Sequence, residues 1–357
     1  MNKKVINITG FIKSSLATAL IFLPLCLYAQ TAPNWVNNLH QAFPDREWVA
    51  VTAQGTDQPQ AEAAAMNALA RAFRTDVASI TLASQQFSQI INNSAGSRNV
   101  NFDESRNFAQ EVITGTNVKG LIGVQIDVYR ARDTVYVNAR MNRRECSARY
   151  SAMIRENTAV INALLTSAAA SPGTFEAYAN LSFAYAVAQI TDNFQNILEV
   201  LDISAVNRRP GYGGANAIRA AMFECAALIT VGLAIETEQQ SDRTLFTRAA
   251  GSFFRDRGFR VSEQGSLPNG SAGNYVLRAN VSFEELRQSV ITCRYYFDAA
   301  LENRNGTAVF SFTENDRKAH MNIASEARRL AVRAVETSIK EGRFAQEFDA
   351  WLNSLLY

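Results

Sequence analysis

Two glycine stretches are the places where this chain could cradle a phosphate. Gly55 stands at the exit of an apolar run in "EWVAVTAQGTDQPQAEAAAMNALARAF", residues 47–73, and Gly211, Gly213 and Gly214 cluster in "VNRRPGYGGANA", residues 206–217. A phosphate turn needs several glycine-held N–H groups between a strand and a helix, or the GxxxxGK[ST] pattern with its lysine. After Gly55 the next glycine is Gly96. The later triplet has neither a preceding strand nor a following Lys-Ser/Thr. Gly55 therefore reads as a joint that lets a helix lie close on a strand, and no cofactor is expected.

Other chemistry-bearing residues are sparse. The two histidines, His40 and His320, fall in different parts of the chain, one before the first strand and one at an expected helix start. Capping or solvated roles suit them better than a shared metal. No HExxH, GxSxG, CxxC or calcium-loop spacing occurs, so no catalytic, cofactor or metal residue is assigned. Asp298 is the first acid to consider for glycoside cleavage. Its strand alternation places it on a polar face with Arg294 and Tyr296, where a salt-bridged surface acid is expected.

The densest charge feature is Arg140, Arg143, Arg144 and Arg149, close to Arg130 and Arg132. Guanidinium groups suit carboxylate and phosphate partners, including anionic cell-wall polymers. Acids of the same region can equally neutralise them. Tyr129, Tyr136, Arg140, Arg143 and Arg144 are the residues expected to bind a partner.

Composition sets the compartment. The chain has 357 residues, 47% of them hydrophobic, enough for two ordinary domains with real cores. Residues 1–29 carry Lys3, Lys4 and Lys13, no acid, and an apolar run to Leu27 and Ala29, the layout of a secretory signal peptide. Without those three lysines, 32 of the 35 basic residues face 33 acids, a net charge of −1. A nucleic-acid partner thereby loses its electrostatic support. No later stretch approaches the roughly 20 apolar residues of a membrane span.

Cys26 is the candidate for lipid attachment, but Leu23, Pro24 and Leu25 precede it where lipid transfer favours a small residue. Cleavage after Ala29 is the expectation. Cys146, Cys225 and Cys293 remain, so at most one internal disulfide can form, and buried thiols serve equally well.

The elements that must position these residues read as two small βαβββ-type modules of α+β class with antiparallel sheets. In the first, residues 48–53 form a strand, and Asp57 with Gln60 starts an alanine-faced helix bearing Ala61, Ala64, Ala65, Ala68, Leu69, Ala72 and Phe73. Residues 76–88 are ambiguous between strand and helix, and residues 92–98 read as a loop. A hairpin over residues 121–141 pairs Val128 with Val137, Ile126 with Ala139, Asp127 with Asn138 and Tyr129 with Tyr136, with Arg132 and Asp133 at its tip. Val124, Ile126 and Val128 should share its apolar face with Val135, Val137, Ala139 and Met141.

Residues 145–205 read as a helical hairpin broken at Pro172-Gly173, and residues 206–221 as a linker. In the second module, residues 226–234 read as an apolar strand. Asp242 caps a helix, Gly258 ends it, and alternating strands follow around Tyr275 and Phe297. Asn305-Gly306 reads as a two-residue turn with Arg304 opposite Thr307, Leu301 opposite Phe310 and Ala299 opposite Phe312. A helix with Ile323, Ala327, Leu330, Ala331, Ala334 and Ser338 on one face closes the module, followed by Phe348, Trp351 and Leu352.

Pro33 to Trp35, the strand ending at Gly55, Ala61 to Ala72 and the late strand Val135 to Met141 together resemble the LPP-twenty lipoprotein family of bacterial envelopes. The stretch "TLFTRAAGSFFRDRGFRV" followed by "NYVLRANVSF" resembles the small α/β domain at the amino terminus of TolB and in activators of penicillin-binding proteins. The flagellar assembly protein T combines domains of both sorts. What these resemblances imply is an exported protein of the periplasm or outer-membrane periphery that works by contact with envelope proteins or peptidoglycan. As an adaptor or regulator it would not be an enzyme. A self-assembling structural subunit of a periplasmic or flagellar apparatus, and a cell-wall hydrolase, are the alternatives.

Overall fold

In a computed structural model, residues 32–73, 120–262, 274–287, 291–320 and 323–356 are described, with Gln110 and parts of 81–90. The leader with Cys26, the loop expected at 92–98 and most of the ambiguous segment 76–88 lie outside these residues. The fold is α+β, as expected.

The first sheet has the order β1-β3-β2, all antiparallel: β1 (Trp48–Gly55), β3 (Thr134–Asn142) and β2 (Gln125–Ala131). Two short helices, α1 (Asn34–Asn37) and α2 (Leu39–Ala42), precede it. Helix α3 (Gln58–Ala72) lies over β1 and β3, burying Ala61, Ala65 and Leu69. Its start follows the sequence signal: the Asp57 side chain accepts from Gln60 N at 2.8 Å, and Gln60 returns a bond to Thr56 N at 2.9 Å. At Gly55 a Cβ would come within 2.7 Å of Ala61 N. The glycine is a joint for close helix approach.

The β2–β3 register matches all four expected pairs. Val135, Val137, Ala139 and Met141 are buried, but Ile126 and Val128 remain 44% and 39% exposed. The reason is position: β2 is the sheet edge, beyond the strands that α3 covers.

From β3 the chain runs directly into two long helices, α4 (Arg143–Ala170) and α5 (Phe175–Leu201), joined around Gly173 at φ +75°. They share one core with the first sheet and with Ile218 and Cys225 of α6 (Ala215–Leu228). Helix α5 is apolar on most sides because α4 and α6 both pack against it. The linker expected up to residue 221 is therefore helical from Ala215, and residues 226–228, expected in a strand, end α6. The strand begins at Thr230.

The second sheet has the order β5-β4-β6-β7-β8. Strands β6 (Asn274–Arg287), β7 (Ile291–Glu302) and β8 (Ala308–His320) form an antiparallel meander; β4 (Thr230–Thr237) pairs in parallel with β6 and with the short β5 (Arg260–Ser262). Helices α7 (Gln240–Asp256), α8 (Ala324–Lys340) and α9 (Arg343–Ser354) cover one face. Gly258, at φ +87°, ends α7 as the sequence indicates, with its N–H on Arg255 O at 2.9 Å, whereas Asp242 does not cap the helix: it lies buried inside the first turn and pairs with Arg328.

Leu301 faces Phe310 and Ala299 faces Phe312 as expected, but the turn is longer than two residues. Gly306 N donates to Asn303 O, Asn303 N donates to Thr307 O, and a bulge follows at Leu301/Glu302. The Asn303 side chain accepts from Asn305 N and Thr307 N, which fixes the wider turn with Gly306 in the left-handed region. The buried seam of α8 is Ala327, Ala331, Val335, Ser338 and Ile339; Ile323 precedes the helix and is exposed.

Phe175 ties the two cores together. It belongs to the helical hairpin by sequence but to the second core by contact, with its ring 4.5 Å from Tyr275 and 5.2 Å from Phe259.

Candidate functional site

The arginines of the first module are mostly spent on the fold. Arg140 ion-pairs with Asp127, donates to Asn138 Oδ1 at 3.0 Å and lies 4.4 Å over the Phe43 ring. Its side chain is only 14% exposed. Arg143 donates to the carbonyls of Asp45 at 2.6 Å, Val200 and Leu201, tying the chain before β1 to the end of α5. These guanidiniums hold distant segments together and leave little for a partner. Arg144 is exposed in the first turn of α4. Tyr129 and Tyr136 are cross-strand neighbours, ring centres 6.3 Å apart, and both half-buried. The structure thus brings Tyr129, Tyr136 and Arg140 onto one sheet face, while Arg143 and Arg144 begin α4.

The glycine triplet is also internally occupied. Asp192 of α5 accepts from Ala215 N at 2.8 Å and from the Tyr212 hydroxyl at 2.8 Å. A carboxylate of the chain itself therefore sits where a phosphate would. Gly213 and Gly214, at φ +80° and +85°, bend the backbone onto it.

His40 pairs with Asp45 at 3.1 Å on the surface. His320 ends β8 and does not start a helix. Cys146, Cys225 and Cys293 are all buried free thiols, and burial pushes each of their pKa values up. Among the described residues no cluster of metal-ligating side chains occurs. No helix among them is long and apolar enough to cross a membrane.

What stands open among the described residues is part of the second face of the five-stranded sheet; Thr230, Asn274 and Val276 on that same face are buried. Its helices all lie on the other side, and across β4, β6, β7 and β8 it presents Glu236, Arg278, Asn280, Asp298, Ser311 and Thr313 around a shallow trough of about 350 Å³. Small residues, Ala234 and Ala300, form its floor. Asp298 is exposed and carries no ion pair among the described residues, contrary to the salt bridge expected of it; its cross-strand neighbours are Asn280 and Thr313. Arg278 is held at 2.8 Å by Glu302 at one end. At the other, Arg294 donates to the Tyr296 hydroxyl at 3.1 Å, which in turn donates to Glu284 at 3.3 Å. The ends are rigidified by charge while the middle offers exposed hydrogen-bonding groups, Asn280, Asp298, Ser311 and Thr313.

No protein-family model matches the chain. No curated protein matches it either. Among solved structures, a minor lipoprotein from Acinetobacter baumannii is similar at 14% identity and a TM-score of 0.23, over 35% of this chain and 92% of that one. The secreted protein HP1454 from Helicobacter pylori is similar at 13% identity and a TM-score of 0.35, over 82% of this chain and 97% of that one. Both likenesses are too slight to transfer a role.

Sequence reasoning named Asp298 but missed the trough around it. Alternation alone identifies a polar face; it does not reveal that all three helices pack on the opposite side. The signal available was the run of small and polar residues at alternate positions, Asn280 on β6, Asp298 and Ala300 on β7, and Ser311 and Thr313 on β8.

Proposed function

We propose that this protein is exported to the bacterial envelope and acts there as a non-enzymatic adaptor, holding a protein or cell-wall partner on the open face of its five-stranded sheet. The observation that carries this reading is that face itself. A sheet with helices on one side and a polar, small-residue trough on the other is a preformed contact surface, and its paired ends need no ordering on binding. The leader-like layout of residues 1–29 supports export. Kinship with LPP-twenty lipoproteins and TolB-type domains, and a place in the periplasm or at the outer-membrane periphery, belong to the same proposal.

The test is a photocrosslinking residue placed at Thr313, in the trough, and separately at Arg248, exposed on α7. In intact cells Thr313 should give one dominant heavier adduct or attachment to purified sacculi, and Arg248 should give neither. Equal labelling from both positions would remove the open face from consideration. Adducts made only of this chain would favour a self-assembling subunit.

A further inference from the structure

A second, unrelated recess lies on the helix side of the molecule, where the two cores meet. Tyr178, Ser182 and Tyr185, spaced along one face of α5, form one wall of a pocket of about 300 Å³. Met222 of α6 and Leu352 of α9 supply apolar surface opposite. This volume is at the lower end of the roughly 300–1,000 Å³ of small-molecule sites.

Its polar groups are unevenly used. Arg257 is fully engaged: it grips Asp349 through two nitrogens at 2.8–3.2 Å and lies 3.8 Å over the Phe253 ring. Asp349, 41% exposed, keeps lone pairs free for a further donor. Tyr178 packs edge-on against Phe259 at 4.8 Å, and burial pushes its phenol up to about 12. Among the described residues no group pairs with the Tyr178 or Ser182 hydroxyl. Tyr185 accepts from Gln189 at 2.9 Å, which leaves its own proton free to donate.

Charge decides the ligand class. The Arg257–Asp349 pair makes the wall neutral overall, so an anion would meet Asp349 and a cation Arg257 while losing its hydration. A neutral molecule with an apolar face and several hydroxyl or amide groups satisfies both the aromatic wall and the idle donors.

We infer that this junction pocket binds a neutral hydroxylated ligand of single-sugar size, its apolar face on Tyr178 and Tyr185 and its hydroxyls on Asp349, Ser182 and the Tyr178 phenol. The site stands apart from the open sheet face and is independent of the adaptor reading. Because its walls come from both cores, occupancy stabilises their junction.

The experiment is saturation-transfer NMR on the whole mature chain with N-acetylglucosamine at millimolar concentration, beside cationic glucosamine and anionic glucuronate. N-acetylglucosamine should receive transfer and raise the melting temperature, and the two charged sugars should do neither. Tyr178→Phe, which keeps the ring, should weaken binding about three- to tenfold. Ser182→Phe, which fills the pocket, should abolish it. Absence of transfer to N-acetylglucosamine in folded protein overturns the inference. So does equal binding of the charged sugars, or full binding to a folded Ser182→Phe variant.

Discussion

Asp192 closes the N-terminus of α6 from a neighbouring helix, its carboxylate accepting Ala215 N at 2.8 Å. Gly214, which precedes the helix, has no side chain to cap it. The same carboxylate takes the Tyr212 hydroxyl, so one residue folds the glycine loop back onto α5.

Removing that carboxylate leaves an orphaned helix N–H and a mostly buried phenol without its acceptor. Asp192→Ala should cost about 1–3 kcal/mol in urea unfolding, and Tyr212→Phe about 1 kcal/mol or less. In the double variant the two losses should be less than additive, because both act through one carboxylate. Strict additivity would show that Asp192 and Tyr212 act separately.

Phe175 presents a different kind of dependence, since it stands in the second core while its helix belongs to the first. Phe175→Ala opens a cavity ringed by Phe259, Tyr275, Phe348 and Trp351. The expected loss is about 3–5 kcal/mol. Calorimetry should show the parent unfolding in one transition and the variant in two, as the cores uncouple. A variant that unfolds in one transition would mean that other contacts, such as Gly173 against Leu228, hold the junction.

Hairpin registers were legible in the sequence because alternation and turn residues are local. Val128 opposite Val137 and Leu301 opposite Phe310 needed nothing beyond period two and a turn signal. The run from Cys225 to Ala234 was not legible in the same way: continuous apolar character looks alike in the last turn of α6 and the first residues of β4. Long-range pairing was hidden altogether. Nothing near Arg140 in the sequence points to Phe43 or Trp48, and nothing near Asp192 announces a helix it will cap. The open trough was half legible, since its residue types could be read but not which face the helices leave bare.

Arg140 and Arg144 separate structural from surface charge. Arg140→Ala removes the Asp127 ion pair and the stacking on Phe43 and should cost about 1–3 kcal/mol. Arg144→Ala, at an exposed position, should fall within about 0.5 kcal/mol of the parent. Chemical denaturation of both variants checks this. If Arg140→Ala were as stable as Arg144→Ala, its guanidinium would be free for a partner after all.

Alkaline pH should unfold this protein through its buried phenols and thiols. Burial is the first cause of the upward shift at Tyr150, Tyr178, Tyr275, Cys146, Cys225 and Cys293. Folded pKa values above the reference values of 9.0 for cysteine and 10.0 for tyrosine mean that the unfolded chain releases these protons first. Their contribution is then fully present below pH 9 and is lost as pH rises, through about 12 for Tyr178. Melting temperature should hold steady from pH 7 to 8.5 and fall from pH 9 to 11. Tyr178→Phe should flatten part of that fall, because one proton release has been removed from the unfolded state. Tyr150→Phe should behave differently: it too removes a titrating phenol, but it strips the 2.8 Å acceptor from Ile122 N and lowers stability even at pH 7. An alkaline slope unchanged in both variants would mean that other groups drive the loss.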